Sequence, residues 1–81
     1  MRLEYDHGPH WARVVDGDEV MILRRSKNCQ TYRGVLAAGG KQRAMLMLRE
    51  RGAERDRLKA AIEGDRDAAV AILEEMRGYG G

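Results

Sequence analysis

Basic side chains crowd into one part of this 81-residue chain. Residues 20–51, the basic stretch, hold eight Lys or Arg against one acid, Glu50, a balance of +7 in a chain whose total is +2. Basic side chains that converge on one surface attract phosphate, which favours nucleic acid as the partner. The candidate binding residues, with Tyr32 included as a group on which a base can stack, are Arg24, Arg25, Lys27, Tyr32, Arg33, Lys41 and Arg43.

The basic stretch also has an alternative partner within the chain. Seven acids lie in residues 54–75 and could neutralise it intramolecularly. The segregated charge favours a binding function, whereas the small total charge falls short of what is typical of nucleic-acid-binding domains. Both interpretations stay open at this level, and so does a contact between the basic stretch and an acidic partner protein.

Gly39-Gly40-Lys41 lies at the start of a predicted helix, where free backbone N–H groups attract anions. The segment is not a phosphate-binding loop of the Walker A type, because Gln42 stands where Ser or Thr is needed and Val35 where the first glycine is needed. A plain turn between sheet and helix is the more ordinary interpretation of two glycines.

Asp6, His7 and His10 lie close together in sequence, and Cys29 could join them. A metal site needs three or four converging ligands, and the sequence offers no second cluster. Basic neighbours would lower the pKa of the Cys29 thiol, but no His or Asn is tied to it by spacing. We therefore expect no catalytic residue, no metal site and no cofactor, and we do not expect an enzyme.

Three strands and three helices are predicted to position the basic stretch. Strands at 10–15 and 19–25 flank Asp16-Gly17, a common signal for a short hairpin. The second strand opens with the unbroken apolar run Val20–Leu23, which predicts a central strand covered on both faces. A third strand follows at 30–35. The predicted fold class is α+β, with a three-stranded antiparallel meander followed by three helices.

The helices are predicted at 41–51, at 54–63 and from Asp65 onwards. The first contains five successive apolar residues, 44–48, which predict a core helix between the sheet and the later helices. Asp65 is predicted to be the N-cap of the third helix, because its carboxylate can accept a hydrogen bond from a free backbone N–H of the first turn. Glycines at 52, 64 and 78 are predicted to end the three helices. The residues expected to be buried by the later two helices are Leu58, Ala61, Ile62, Ala69, Ile72, Leu73 and Met76.

The domain organisation follows from the same pattern. Residues 1–9 are predicted to be an irregular arm, because Gly8-Pro9 interrupts regular structure, residues 10–78 a single α+β domain, and residues 79–81 a flexible tail. The first residues lack a leader's apolar core and no run approaches the roughly 18 apolar residues of a membrane span, so we expect a cytoplasmic protein without membrane contact. A single cysteine favours a reducing compartment.

The expected function is that of a small non-enzymatic binding protein, of the accessory or phage-type inhibitor kind, which engages nucleic acid or the nucleic-acid path of a larger machine. The alternative is a protein–protein or dimerisation module in which the Met-bearing helices, with Met45, Met47 and Met76, form a partner face together with Tyr79, while the basic stretch meets an acidic protein patch. A homodimer suits so short a chain, because self-association would bury more apolar surface.

Overall fold

The computed structural model describes residues 3–8, 10–27, 31–49 and 53–80. The elements are β1 (Leu3–Gly8), β2 (Trp11–Asp16), β3 (Glu19–Arg25), β4 (Thr31–Ala38), β5 (Lys41–Arg49), α1 (Ala53–Ile62) and α2 (Arg66–Gly80). The strands form one antiparallel sheet in the order β1-β2-β3-β4-β5. The predicted three strands and three helices are therefore wrong, since the described residues form five strands and two helices.

The largest correction is β5, which replaces the predicted core helix at 41–51. Gly39 and Gly40 have φ angles of 58° and 78°, as the two central residues of a tight hairpin turn require. Residues with a β-carbon rarely adopt such angles, so the two glycines make the turn back along β4. The intrinsic helix propensities of ordinary residues differ by less than about 0.7 kcal/mol per residue. Pairing of the nine-residue strand β5 with β4 outweighs so small a preference.

The two predicted terminal segments are also regular structure. The N-terminal arm contains β1, which pairs with β2 from Leu3 opposite Asp16 to Gly8 opposite Trp11. Leu3 and Tyr5 alternate with exposed residues and pack against the core, which gives β1 an apolar side. Helix α2 continues through Gly78 to Gly80, so it includes residues predicted as a tail.

Both helices pack on one face of the sheet. Leu58, Ile62, Ile72 and Met76 are among the largest fully buried side chains, which confirms the predicted apolar faces of the two later helices. Gly34 on β4 faces them, and a β-carbon there would lie 3.0 Å from Leu23 and 3.4 Å from the sulfur of Met76. The absence of a side chain at that position brings α2 close to the sheet.

The cap of α2 and the position of β3 in the sheet both agree with the sequence. The backbone N–H of Ala68 donates to Oδ1 of Asp65 over 3.1 Å, which confirms the predicted N-cap. The strand at 19–25 is central, as predicted, because β3 is the third of five. Its two faces are not both covered, however, since Met21 and Leu23 are buried while the intervening Ile22 is 36% exposed. We call the face opposite the helices the open face.

Candidate nucleic-acid interface

One row of residues crosses the open face near the end of the sheet. Trp11 on β2 pairs with Arg24 on β3, and Arg24 pairs with Arg33 on β4. Antiparallel partners that are directly opposite have Cβ atoms about 4.5–5.5 Å apart and point to the same face. An indole and two guanidinium groups therefore lie side by side.

This row forms part of a pocket of about 510 Å³ that opens at the end of the sheet. The lining residues, which we call the basic pocket, are His10, Trp11, Arg24, Arg25, Ser26, Lys27, Thr31 and Arg33. Four of them are Lys or Arg and none is Asp or Glu. The pocket is therefore a local excess of positive charge with an aromatic ring at one side.

Short-range contacts hold the walls of the basic pocket. The backbone N–H of Arg25 donates to the carbonyl of His10 over 3.0 Å, and the Arg25 Nε–H donates to His10 Nδ1 over 3.3 Å. The backbone N–H of Thr31 donates to the Ser26 hydroxyl over 3.2 Å. These hydrogen bonds join β2 and β4 to the end of β3. They therefore fix the backbone that carries the cationic side chains of the pocket.

Trp11 owes its position to the glycine beside it. Gly8 on β1 is directly opposite Trp11, and a β-carbon at Gly8 would come within 2.6 Å of the indole Nε1. No real β-carbon tolerates such a contact, so the ring lies over the bare glycine backbone. The indole is only partly buried there, which leaves part of its surface available to a ligand.

The ion pairs of the described residues lie away from the basic pocket. Arg57 on α1 pairs with Glu75 on α2 at 2.5 Å, and Arg77 on α2 pairs with a cluster of carboxylates. Within the described part of the chain, neither Arg24 nor Arg33 takes part in these pairs. The helices carry their acids on the other side of the sheet, so the sheet itself separates those carboxylates from the open face. The carboxylates of the open face are Glu4 and Asp6 on the edge strand β1, opposite Val15 and Arg13.

Arg77 joins α2 to the β2–β3 hairpin. Its guanidinium donates to Asp16, to Glu19 over 2.7 Å, and to Glu74 over 2.8 Å. The hydrogen bond to Glu19, and next in size the hydrogen bond to Asp16, raise the pKa of Arg77 above its already high ordinary value. Asp16 is the buried charged residue of this cluster, with 7% of its surface exposed. The cluster is structural, and it occupies the end of the sheet opposite the basic pocket.

The seven predicted binding residues divide into three groups. Arg24, Arg25, Lys27 and Arg33 are brought together in the basic pocket. Lys41 pairs with Ala38, five residues along β4 from Arg33 and thus about 16 Å away, so Lys41 and Arg43 lie toward the other end of the sheet and do not converge with the other four.

Tyr32 was predicted as a base-stacking group, and that prediction is wrong. Only 3% of its surface is exposed, and it belongs to the core beneath the helices. Neighbouring residues of a strand point to opposite faces, so a strand that places Arg33 on the open face must turn Tyr32 away from it.

Trp11 and His10 are members of the pocket that the sequence prediction missed. The β2–β3 hairpin indicates the position of Trp11. The two-residue turn at 17–18 sets Asp16 opposite Glu19, and the same register sets Trp11 opposite Arg24. The aromatic group beside the basic residues was therefore available on β2, not on β4.

The Met-bearing helices of the alternative prediction are also corrected. Met76 is fully buried in the core, and Met45 is 49% exposed but lies on β5 and not on a helix. The side chains of Met47 and Tyr79 lie outside the described residues, as do Cys29 and the histidine side chain at position 7. The large apolar side chains that are exposed among the described residues, Ile22 and Met45, lie on the open face.

Among the described residues, no three His, Cys, Asp or Glu side chains are grouped closely enough to hold a metal ion. Neither described helix has the length and apolar character needed to cross a membrane. Comparisons of the chain with protein-family models, with curated proteins and with solved structures find no match.

Proposed function

We propose that this protein binds nucleic acid, with the basic pocket placed against the phosphate backbone. The observation that carries the proposal is the pairing of Arg24 directly opposite Arg33 beside an accessible indole. Like charges directly opposite each other in a sheet destabilise it. A phosphate between the two guanidinium groups would remove that repulsion and gain two charge-assisted hydrogen-bonding groups at once.

The other members of the pocket support the same interpretation. Lys27 and Arg25 add positive charge at the rim, and Trp11 offers a ring on which a base can stack. An acidic protein segment would satisfy the cations equally well but would gain little from the indole. We therefore place the acidic partner protein second, as the alternative that the experiment below must separate from nucleic acid.

Trp11 supplies the assay, because it is the chain's only tryptophan. A base stacked on the indole should quench its fluorescence, and titration with an oligonucleotide then gives the affinity. For three to four phosphate contacts we expect log K to fall against log salt with a slope of about −2 to −3 on a single strand.

Two matched variants separate the basic pocket from total charge. Arg24→Gln with Arg33→Gln and Lys41→Gln with Arg43→Gln each remove two positive charges. We expect the first pair to make the salt slope shallower by about 1.4 on a single strand, and the second pair to leave it close to the wild-type value. Equal losses in the two variants, or no binding by the wild-type protein at low salt, would refute the proposal.

A further inference from the structure

A second row of the open face is mostly apolar. Arg13 on β2, Ile22 on β3, Val35 on β4 and Met45 on β5 are successive cross-strand partners. Asp6 on β1 is opposite Arg13 and ends the row. Ile22 is 36% exposed and Met45 is 49% exposed. The helices pack on the opposite face, so nothing in the described part of the chain covers these side chains. The row continues directly from the basic pocket, two residues further along each strand.

We propose that the open face is a platform for a single strand, with bases lying on Trp11, Ile22 and Met45 while the phosphates meet Arg24 and Arg33. This inference rests on the proposed function and names its substrate class. Charge complementarity supports it, because the exposed Arg24 and Arg33 lie beside the apolar side chains on β3 and β4. A strand of nucleic acid has the same mixture, with charged phosphates and apolar base faces in alternation. The carboxylate of the apolar row, Asp6, is opposite Arg13 on the edge strand β1.

The apolar row distinguishes a single strand from a duplex. In a duplex the base faces are stacked against one another, and the outside presents phosphates and sugars. Exposed Ile22 and Met45 would then lie against charged backbone and gain nothing from the contact. An unpaired strand can turn its bases onto the sheet, which removes apolar surface of both partners from water.

The dimensions of the open face suit a short site. Neighbouring strands are about 4.8 Å apart, so the three steps from β2 to β5 span about 14 Å. A surface of that width accommodates only a few stacked bases. A probe of about twelve nucleotides is therefore long enough to cover it, at the upper part of the range known for comparable single-strand sites.

The test compares three labelled ligands of one sequence by fluorescence anisotropy. They are a single strand of about twelve nucleotides, the same strand with abasic sites in place of its bases, and the corresponding duplex. We expect the abasic strand to bind about 5- to 150-fold more weakly than the intact strand, because it keeps the phosphates and loses the stacking. The duplex should compete poorly with the intact strand.

Substitutions on the platform give an independent readout. Ile22→Thr with Met45→Thr keeps the net charge and keeps a residue type suited to strands. We expect this variant to lose affinity for the intact strand while its affinity for the abasic strand stays unchanged. Thermal unfolding of the variant checks that the sheet is intact.

The outcomes separate this inference from the proposed function. If the abasic strand and the duplex bind as tightly as the intact strand, the basic pocket binds nucleic acid and the platform inference is wrong. If none of the three ligands binds, the proposed function itself fails. A wild-type dimer that Met45→Thr dissociates would assign the open face to a second copy of this chain and would likewise overturn the inference.

Discussion

Replacing either arginine of the opposed pair should make the free protein more stable. Arg24 and Arg33 are direct antiparallel partners, and no carboxylate among the described residues lines their pocket. A like-charged pair in this position costs about 0.2–1 kcal/mol. Arg33→Gln should therefore raise the free energy of unfolding by that amount, and the melting temperature by about 1–8 °C for a domain of this size.

The double replacement reveals whether the two charges repel each other. Once Arg24 is neutral, neutralising Arg33 has no repulsion left to relieve, so the double variant should be about as stable as the better single variant. Urea unfolding at low salt measures the four free energies of the cycle. At about 1 M salt, where the screening length is about 3 Å, the gain should disappear.

Several results would refute this reasoning. A loss of stability in either single variant would mean that the arginines support the sheet. Additive gains in the double variant would mean that the two charges do not interact. Arg33→Lys is the matched control, because it keeps the charge and should show little of the gain.

Three further predictions concern other parts of the structure. Arg77→Met should lower the free energy of unfolding by about 3 kcal/mol, the lower end of the cost of breaking a buried ion pair, because it leaves the buried Asp16 carboxylate unpaired while Arg77 itself is partly exposed. Arg57→Met, at a more exposed pair, should cost less than about 1 kcal/mol in the same urea titration. Gly8→Ala should displace the Trp11 ring, since the new β-carbon would lie 2.6 Å from it, and the emission maximum of the indole should shift; an unchanged spectrum would contradict the contact. Burial raises the pKa of Tyr5 above 10.0, so the folded protein keeps the phenol proton to higher pH and stability should fall as pH rises through about 10. Melting curves of Tyr5→Phe should show a smaller alkaline loss than the wild type, and parallel curves would refute it.

The sequence predicted the later helices well because their pattern is local. Asp65 caps α2, and the apolar residues recur at helical spacing, so no distant partner is needed to recognise them. The β5 segment shows the opposite case. Ala, Met and Leu suit a helix, and only pairing with β4 across the turn at Gly39-Gly40 makes them a strand. Two glycines between apolar runs are themselves a hairpin signal, and here it outweighs the helical composition of the residues that follow.

The basic residues of the candidate site could be predicted from the sequence, whereas its aromatic residue could not. Charge density identified the basic residues of the pocket, since it can be counted along the chain. The aromatic residue of the pocket is decided by the strands. Strand register sets Trp11 beside Arg24, and strand alternation turns Tyr32 into the core, away from the open face. Convergence in a sheet is decided by cross-strand position, so residues near in sequence, such as Tyr32 and Arg33, can lie on opposite faces.

The most direct test of the proposed interface is an amide chemical-shift map of the protein titrated with a single-stranded oligonucleotide. We expect the Trp11 indole N–H and the backbone amides of Arg24 and Arg33 to shift most. The amides of α1 and α2 and of the Gly39-Gly40 turn should stay nearly unchanged. Shifts concentrated on the helices or on that turn, or no shifts at all at low salt, would contradict the claim that the open face and its basic pocket bind nucleic acid.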